Sequence, residues 1–456
     1  MKTVIHLHGK KLKINNFLFP FFNIQLNEGE TWCIFGKNGS GKSLLSELLC
    51  GQQRLIEGKI EYPAWKENKF IRIVSFNSIY SIADFQKMYY QQRFNHTETD
   101  HSLLVEDFFL PPEKEQMKSS SLPFNIENLM NRRIIQLSSG ELRKLLVMKV
   151  LLEKPKLLIF DNPFIGLDVD SRKQLDESFH LLKKNNIQLL FLVPSMNDIP
   201  SASDRILELP PPLPDLSISR PMAVNWDLFP QSPDEAEIVI KMEDVEIAYD
   251  QRVIASAINW EIKRGEKWAL SGPNGSGKST LLSYIFADNP QAYSKKLTLF
   301  DRKRGTGESI WDIKKRIGFT SSEMHLYYRK NVSCLQVIES GFFDSIGLYR
   351  KCTDKQTKLA DYLLDLLQIN SLRERSFMKI SSGEQRLVLF ARSLVKNPEL
   401  LILDEPFHGL DDENKQRCLQ IVESYGQQPN KSLIFVTHQQ EEIPESINLR
   451  KSLAPR

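Results

Sequence analysis

The sequence predicts an α/β protein with two similar domains in tandem, each built around a mostly parallel β-sheet. Two glycine-rich loops, at residues 36–43 and 272–279, each follow a short apolar stretch and open a leucine-rich segment. Two further apolar runs, each ending in an acid, recur at matching distances. A proline-rich segment separates the halves. Apolar strands that alternate with helical patterns are typical of a parallel sheet covered by helices.

The bulk composition is that of a globular protein. The 456 residues suffice for two or three domains, and 41% are hydrophobic and 26% charged. No apolar run approaches the roughly 20 residues that span a bilayer, and the first residues turn polar too soon for a signal peptide. The net charge of +3 argues against a dedicated nucleic-acid binder. The five cysteines form no CxxC pair, which predicts reduced thiols and a cytoplasmic protein.

Both glycine-rich loops have the composition of phosphate-binding loops. In such a loop, backbone N–H groups surround the β-phosphate of a nucleotide at a helix N-terminus. A lysine is expected to reach the β- and γ-oxygens, and the following serine is expected to hold Mg²⁺. In the first loop the predicted nucleotide contacts are Gly36, Asn38, Gly39, Ser40, Gly41, Lys42 and Ser43. In the second loop they are Gly272, Pro273, Asn274, Gly275, Ser276, Gly277, Lys278, Ser279 and Thr280.

Motifs downstream of the loops recur in register, which indicates an internal repeat. Asp161 ends an apolar run and follows Gly140 of a Ser-Ser-Gly-Glu segment by 21 residues. Asp404 follows Gly383 of the second such segment by the same 21 residues. A Gly-Leu-Asp turn follows each acid at one common offset. We infer that the two halves derive from one unit.

The segment between the halves predicts an extended connector. Residues 209–236 contain seven prolines, which exclude a helix. We therefore place the first domain at 1–208 and the second at 237–456. Trp226 and Phe229 either anchor the connector on a domain or remain in solvent. About 100 residues lie between each glycine-rich loop and its Ser-Ser-Gly-Glu segment, and they predict a helical subdomain inserted into the sheet core.

The four motifs, in this order and in duplicate, resemble those of the ATP-binding-cassette (ABC) ATPases over nearly the whole chain. Segments 337–349 and 89–95 are further similar to the ModF or photorepair-type tandem ATPases, named for an association with molybdate transport. The resemblance implies ATP and Mg²⁺ as ligands and a head-to-tail pseudo-dimer within one chain. It also implies that Ser138 and Gly140 cap the nucleotide of the second half, and that Ser381 and Gly383 cap that of the first.

The resemblance further implies the residues of hydrolysis in the second half. Asp404, like Ser279, would hold Mg²⁺, and Glu405 would polarise the attacking water. His438 follows Asp404 by 34 residues, where the family carries a histidine that senses the γ-phosphate. Together with Lys278, these residues predict a hydrolytic site.

The first half departs from this pattern at two positions. It keeps Asp161 and Ser43 as predicted Mg²⁺ ligands, but Asn162 stands where the second half has glutamate. Ser195 stands at the offset of the histidine. An amide cannot accept a proton from water, and general-base assistance is typically worth about 10²–10⁴-fold. We therefore expect this site to bind ATP without efficient hydrolysis.

Two other family positions are unusual. Tyr249 lies 23 residues before Gly272, where the resemblance implies an aromatic ring stacked on adenine, whereas the same count in the first half leads to Lys13. The family glutamine before the helical subdomain is missing. Ser322 is near that position in the second half, and Phe76 or Asn77 is near it in the first.

Two functions remain open at this point. One is a cytoplasmic energy-coupling ATPase of a membrane transporter, peripheral to the membrane, whose permease is a separate chain. The alternative is a soluble ABC ATPase that acts on a ribosome or a nucleic acid without a permease. The short proline-rich connector and the nearly balanced charge favour the first function. DNA repair by a long-armed ABC ATPase would require coiled-coil heptads, which the sequence lacks.

Overall fold

A computed structural model describes most of the chain. The described residues are 2–14, 17–65, 68–75, 104–119, 126–134, 137, 139–209, 223–231, 236–249, 252–322 and 324–453. They form two compact units. The first unit holds the described N-terminal half together with Gly409–Asp412, and the second holds the rest of the C-terminal half. The predicted domain boundaries at 208 and 237 remain a prediction.

The N-terminal half contains one parallel and one antiparallel sheet. The parallel sheet has the strand order β5-β6-β7-β3-β8, and the antiparallel sheet has the order β2-β1-β4. The strands are β1 Thr3–Ile14, β2 Phe17–Asn27, β3 Trp32–Phe35, β4 Leu55–Glu61, β5 Ile71–Ser75, β6 Leu157–Asp161, β7 Gln188–Val193 and β8 Arg205–Glu208. The helices are α1 Lys42–Leu49, α2 Pro111–Ser119, α3 Ser139–Leu151 and α4 Val169–Lys184.

The C-terminal half repeats this architecture. Its parallel sheet has the order β14-β15-β16-β11-β17, and its antiparallel sheet has the order β10-β9-β12-β13. The strands are β9 Ile238–Tyr249, β10 Arg252–Lys263, β11 Lys267–Ser271, β12 Leu297–Leu299, β13 Arg302–Lys303, β14 Ile317–Ser321, β15 Leu400–Asp404, β16 Ser432–Val436 and β17 Leu449–Ser452. The helices are α5 Lys278–Ile285, α6 Ile310–Lys314, α7 Met324–Tyr327, α8 Cys334–Glu339, α9 Asp354–Leu366, α10 Ser382–Leu394 and α11 Asp412–Gly426.

The matching strand orders confirm the predicted α/β class and the internal repeat. In each parallel sheet a single strand separates the loop-bearing strand from the acid-ended strand: β7 lies between β3 and β6, and β16 lies between β11 and β15. The acid-ended strands are buried up to their last residue, as their continuous apolar runs require. Because the strands are parallel, each glycine-rich loop and its acid lie at the same sheet edge.

The predicted helical subdomain is present in the C-terminal half, between β14 and α10. Its packing explains part of segment 337–349. The hydroxyl of buried Ser340 lies 3.0 Å from the Tyr328 hydroxyl and accepts a hydrogen bond from Arg392 Nε at 3.0 Å. A Cβ atom on Gly341 would lie 2.3 Å from the Arg392 carbonyl oxygen, so only glycine permits this approach. The corresponding segment 89–95 lies outside the described residues.

The described part of the connector is anchored on the second unit. Phe229 is 2% exposed, and its ring lies 6.1 Å from that of Tyr362. The Trp226 indole N–H donates to Ser424 Oγ at 3.0 Å, and its ring contacts Tyr425 at 5.7 Å. These contacts decide the open question in favour of anchoring. The proline run 210–212 lies outside the described residues.

The structure also bears on the cysteines and on membrane-spanning helices. All five cysteines are free, as the prediction of reduced thiols requires. Among the described helices, none combines the length and the apolar character that crossing a membrane demands.

Candidate nucleotide-binding sites

The two glycine-rich loops share one backbone conformation. Each connects a strand to a helix, β3 to α1 and β11 to α5. Gly41 and Gly277, directly before the helices, both have φ of 90°, a left-handed conformation that favours glycine. Neither helix has a side-chain cap at its N-terminus. The first N–H groups of both helices are therefore available to an anion.

Close backbone approach explains why the loops need their glycines. A Cβ atom on Gly272 would lie 2.5 Å from the Leu453 carbonyl oxygen, and one on Gly277 would lie 2.9 Å from Ile247 Cδ1. In the first loop, a Cβ atom on Gly36 would lie 3.1 Å from Leu209 Cβ. Each loop thus packs closely against other segments, and in the first loop the Asn38 N–H also donates to Asp411 Oδ2 at 2.7 Å.

Both loop lysines fold back onto their own loops. Lys278 Nζ donates to the carbonyl oxygens of Gly272 at 2.6 Å and Pro273 at 3.0 Å. Lys42 makes the equivalent contacts with Gly36 and, at 2.8 Å, with Lys37. Burial lowers the pKa of Lys42 to about 8, against the opposing effect of the negative charge of Asp161.

In each half the acid at the strand end contacts the serine of the loop. Asp161 Oδ2 accepts from Ser43 Oγ at 3.1 Å, and Asp404 Oδ2 accepts from Ser279 Oγ at 3.4 Å. Burial raises the pKa of Asp161, although the Ser43 hydrogen bond and the charge of Lys42 oppose this rise. Its second oxygen, Oδ1, is buried and has no donor among the described residues. A buried oxygen beside a serine hydroxyl fits Mg²⁺ or a Mg²⁺-bound water.

The residue after each acid has the same backbone position in both halves. Asn162 has φ of 53° and Glu405 has φ of 51°. Their N–H groups donate to Leu192 and Val436, each at 2.9 Å. A left-handed conformation costs a non-glycine residue on the order of 1 kcal/mol or more and often marks a functional site. The halves therefore differ at this position in the side chain, not in the backbone.

Glu405 lies between two imidazoles. His438 Nε2 is 3.1 Å from Oε1, and His408 Nδ1 is 2.7 Å from Oε2. Burial alone would raise the pKa of Glu405, but the charge of His408 and the hydrogen bonds from both histidines outweigh burial and lower it. The carboxylate is therefore ionised. The sequence interpretation missed His408, because a histidine three residues after the glutamate is uninformative until the turn conformation is known.

The first half has no titratable group at these three positions. Asn162 replaces Glu405, and Ile165 stands at the offset of His408. Ser195, which replaces His438, is buried, and its hydroxyl accepts from the Asn197 N–H at 3.2 Å. The Asn162 side-chain oxygen is buried without a donor among the described residues. These three positions therefore offer neither an imidazole nor a carboxylate, and the Ser195 hydroxyl instead donates to the Asp412 carboxylate, at 3.0 Å to Oδ1.

The Ser-Ser-Gly-Glu segment of the C-terminal half begins helix α10 through a capping box. Ser381 Oγ accepts from the Glu384 N–H at 3.3 Å, and the Glu384 carboxylate accepts from the Ser381 N–H at 2.7 Å. The Ser-x-x-Glu spacing signals this role in the sequence. Gly383 lies in the first turn of α10, and Gly140 lies in the first turn of α3. Ser138 lies outside the described residues.

The two unusual family positions are only partly described. Ser322 directly follows β14, where its N–H donates to the Asp404 carbonyl oxygen at 3.0 Å. Its own carbonyl oxygen accepts from Arg386 Nε of helix α10 at 3.3 Å, which joins α10 to the end of β14. Tyr249 is the last residue of β9, and its stacking on adenine remains a prediction. Phe76 and Asn77 lie outside the described residues. Lys13 lies on β1.

Comparison with known proteins identifies the family. The family model described as "ABC transporter" matches residues 21–165 and 255–408. The chain belongs to the ABC transporter family of ATP-binding proteins. Because both halves match, it is a tandem ABC ATP-binding protein.

Two relatives of this ABC protein match over nearly their whole length. It is 36% identical to the ABC transporter ATP-binding protein ModF of Escherichia coli (strain K12), over 95% of this chain and 93% of ModF. It is 26% identical to the ABC transporter ATP-binding protein C323.04 of Schizosaccharomyces pombe, over 95% of this chain and 94% of that protein. A solved model of ribosome-bound archaeal Pelota and ABCE1 aligns with 99% of this chain and 78% of its own, with a TM-score of 0.56 and 18% identity. That likeness supports the fold alone.

Proposed function

We propose that this ABC protein hydrolyses ATP at a site based in its C-terminal half and binds ATP without efficient hydrolysis at a site based in its N-terminal half. One observation carries the proposal. Glu405 and Asn162 share a backbone conformation, yet only Glu405 has a carboxylate and neighbouring imidazoles. A carboxylate can accept a proton from an attacking water, and an amide cannot.

The proposed hydrolytic site assigns each group a task. The N–H groups of loop 272–279 bind the phosphates, and Lys278 exchanges its bonds to the loop carbonyls for bonds to the β- and γ-oxygens. Ser279 and Asp404 hold Mg²⁺, which neutralises charge on the phosphates. Glu405 orients and deprotonates the attacking water, and His438 contacts the γ-phosphate.

The proposed binding site uses the same groups without the base. Loop 36–43 binds the phosphates, Lys42 contacts their oxygens, and Ser43 with Asp161 holds Mg²⁺. We further propose that the domains 1–208 and 237–456 pair head to tail. Ser381 and Gly383 then complete the first site, and Ser138 and Gly140 complete the second.

A cytoplasmic energy-coupling role with a separate permease is the cellular function we propose. The family and the full-length relative ModF both carry transporter names, which supports this role. The alternative, action on a ribosome or a nucleic acid without a permease, is an outcome of the partner experiment below.

The test of unequal sites compares steady-state ATP turnover of the full chain and its variants. Glu405→Gln should lower turnover by about 10²- to 10⁴-fold, because the amide keeps the shape but loses the base. Asn162→Ala, the matched change at the first site, should leave turnover within about twofold. Comparable losses from both variants would refute unequal sites.

A gain-of-function variant separates the loss of the general base from a loss of folding, because a misfolded chain cannot gain activity. Asn162→Glu with Ser195→His, in the Glu405→Gln background, should restore part of the turnover, because the backbone at 162 already matches that at 405. No restoration in a folded, ATP-binding variant would argue that more than these side chains separates the sites.

The partner experiment uses the Glu405→Gln chain, which should retain ATP. Affinity purification from detergent-solubilised cells in the presence of Mg-ATP should recover a multi-spanning permease. Recovery of ribosomes or nucleic acid instead would favour the alternative function, without affecting the assignment of the ATP sites.

A further inference from the structure

A group of metal-ligating side chains lies on the antiparallel sheet of the first unit, apart from the glycine-rich loop. His6 and His8 alternate along β1 with Ile5 and Leu7, which are buried in the core at 0% and 1% exposure. Because side chains alternate along a strand, both histidines lie on the opposite face. Their side chains are 30% and 37% exposed.

The neighbouring strand β4 brings a carboxylate to the same face. Glu61 is directly opposite His6 in the antiparallel pairing of β1 with β4. Its Oε2 atom lies 4.0 Å from His6 Nδ1 and 4.0 Å from His8 Nε2. One ligand atom from each residue lies within 4.8 Å of the other two. Tetrahedral coordination at zinc–nitrogen distances requires donors about 3.3 Å apart, so small side-chain rotations suffice.

Neighbouring polar groups bind the atoms of His6 and Glu61 that are not among the three donors. His6 Nε2 lies 3.1 Å from the Asn23 Oδ1 atom. Since that oxygen only accepts, Nε2 carries the proton and Nδ1 keeps its lone pair. The other oxygen of Glu61 pairs with Lys59.

An acceptor that orients the histidine is a usual companion of metal ligation. Histidines that bind metals commonly donate their second ring N–H to an oxygen, which selects the tautomer and holds the ring. Asn23 on β2 occupies that position for His6. The three ligands and this acceptor come from three adjacent strands, in the order β2-β1-β4.

We propose that His6, His8 and Glu61 bind one divalent transition-metal cation, with water completing its coordination. Two imidazoles and one carboxylate suit Zn²⁺, Ni²⁺ and Cu²⁺, whereas Mg²⁺ and Ca²⁺ prefer all-oxygen sites. The cation would join β1 to β4 and so stabilise the antiparallel sheet. Among the residues that the structure describes, this is the single group of three such side chains with donors so close together.

The test measures Ni²⁺ and Zn²⁺ binding to the full, nucleotide-free chain by titration calorimetry. Wild type should bind one equivalent that is lost in the His6→Ala/His8→Ala variant. Asn23→Ala should weaken the affinity by about 10-fold, because it removes the orienting acceptor. His180→Ala is the matched control, since His180 is an exposed histidine bonded to Ser201, and it should retain the full equivalent.

A spectroscopic readout keeps the test independent of folding and of ATP hydrolysis. Bound Cu²⁺ should show hyperfine coupling to two imidazole nitrogens in wild type and to one in His8→Ala. Glu61→Gln, which keeps the side-chain shape, should weaken binding. Equal metal binding by the wild type and the double histidine variant would overturn the proposal. Displacement of bound Ni²⁺ or Zn²⁺ by an equal concentration of Mg²⁺ would also overturn it.

Discussion

Replacement of His408 by alanine should slow ATP hydrolysis without preventing ATP binding. His408 Nδ1 lies 2.7 Å from Glu405 Oε2, and both side chains are largely buried. A hydrogen bond to a charged group is worth about 1.5–3 kcal/mol. If this bond orients Glu405 toward the attacking water, its loss should lower kcat by roughly 10- to 150-fold. The KM for ATP should change little, because His408 is not among the predicted phosphate contacts.

The pH profile distinguishes positioning from a general loss of structure. Burial raises the pKa of Glu405, and His408 is the largest opposing influence. Without His408 the pKa of Glu405 rises. Because hydrolysis requires the ionised form, the acidic limb of the kcat profile, which lies below pH 5 in the wild type, should move to higher pH and enter the measured range. His180→Ala should leave both the rate and the profile unchanged.

The assay is steady-state phosphate release from saturating Mg-ATP between pH 5 and 9, with ATP binding measured separately on the same variants. His408→Gln, which keeps a donor, should recover part of the rate. A wild-type rate and an unshifted acidic limb in His408→Ala would refute the positioning role.

Two further predictions concern stability of the second unit. Gly341→Ala should destabilise it by roughly 1–3 kcal/mol in a thermal melt, because the added methyl group overlaps the Arg392 carbonyl oxygen; an unchanged melting temperature would contradict this packing. Asp344→Ala should cost about 3–5 kcal/mol in chemical denaturation, because it removes the buried carboxylate that pairs with the buried Lys396 ammonium. Asp361→Ala breaks the exposed ion pair with Arg373 and should cost at most about 1 kcal/mol. Equal losses of unfolding free energy in Asp344→Ala and Asp361→Ala would contradict the idea that burial makes the Asp344 pair more costly to break.

Much of the fold and of the candidate sites could be predicted from local sequence. The strands before both glycine-rich loops, and those ending in Asp161 and Asp404, were predicted because continuous apolar runs form buried strands. Each acid contacts its loop serine, and the sequence had proposed each of these pairs as Mg²⁺ ligands. The anchoring of Phe229 could not be predicted, because an aromatic residue in a proline-rich segment does not reveal the surface that receives it.

The sequence by itself determined the chemistry available to each half. It predicted two phosphate-binding loops and a carboxylate at Glu405 where the first half has the amide of Asn162, since these features depend on residue type and on neighbours along the chain. The tertiary structure alone decided which side chains meet. His408 contacts Glu405 because the left-handed turn at 405 folds the chain back. Glu61 meets His6 because the strand register places them opposite each other, and a register shift farther along β1 is invisible in the sequence.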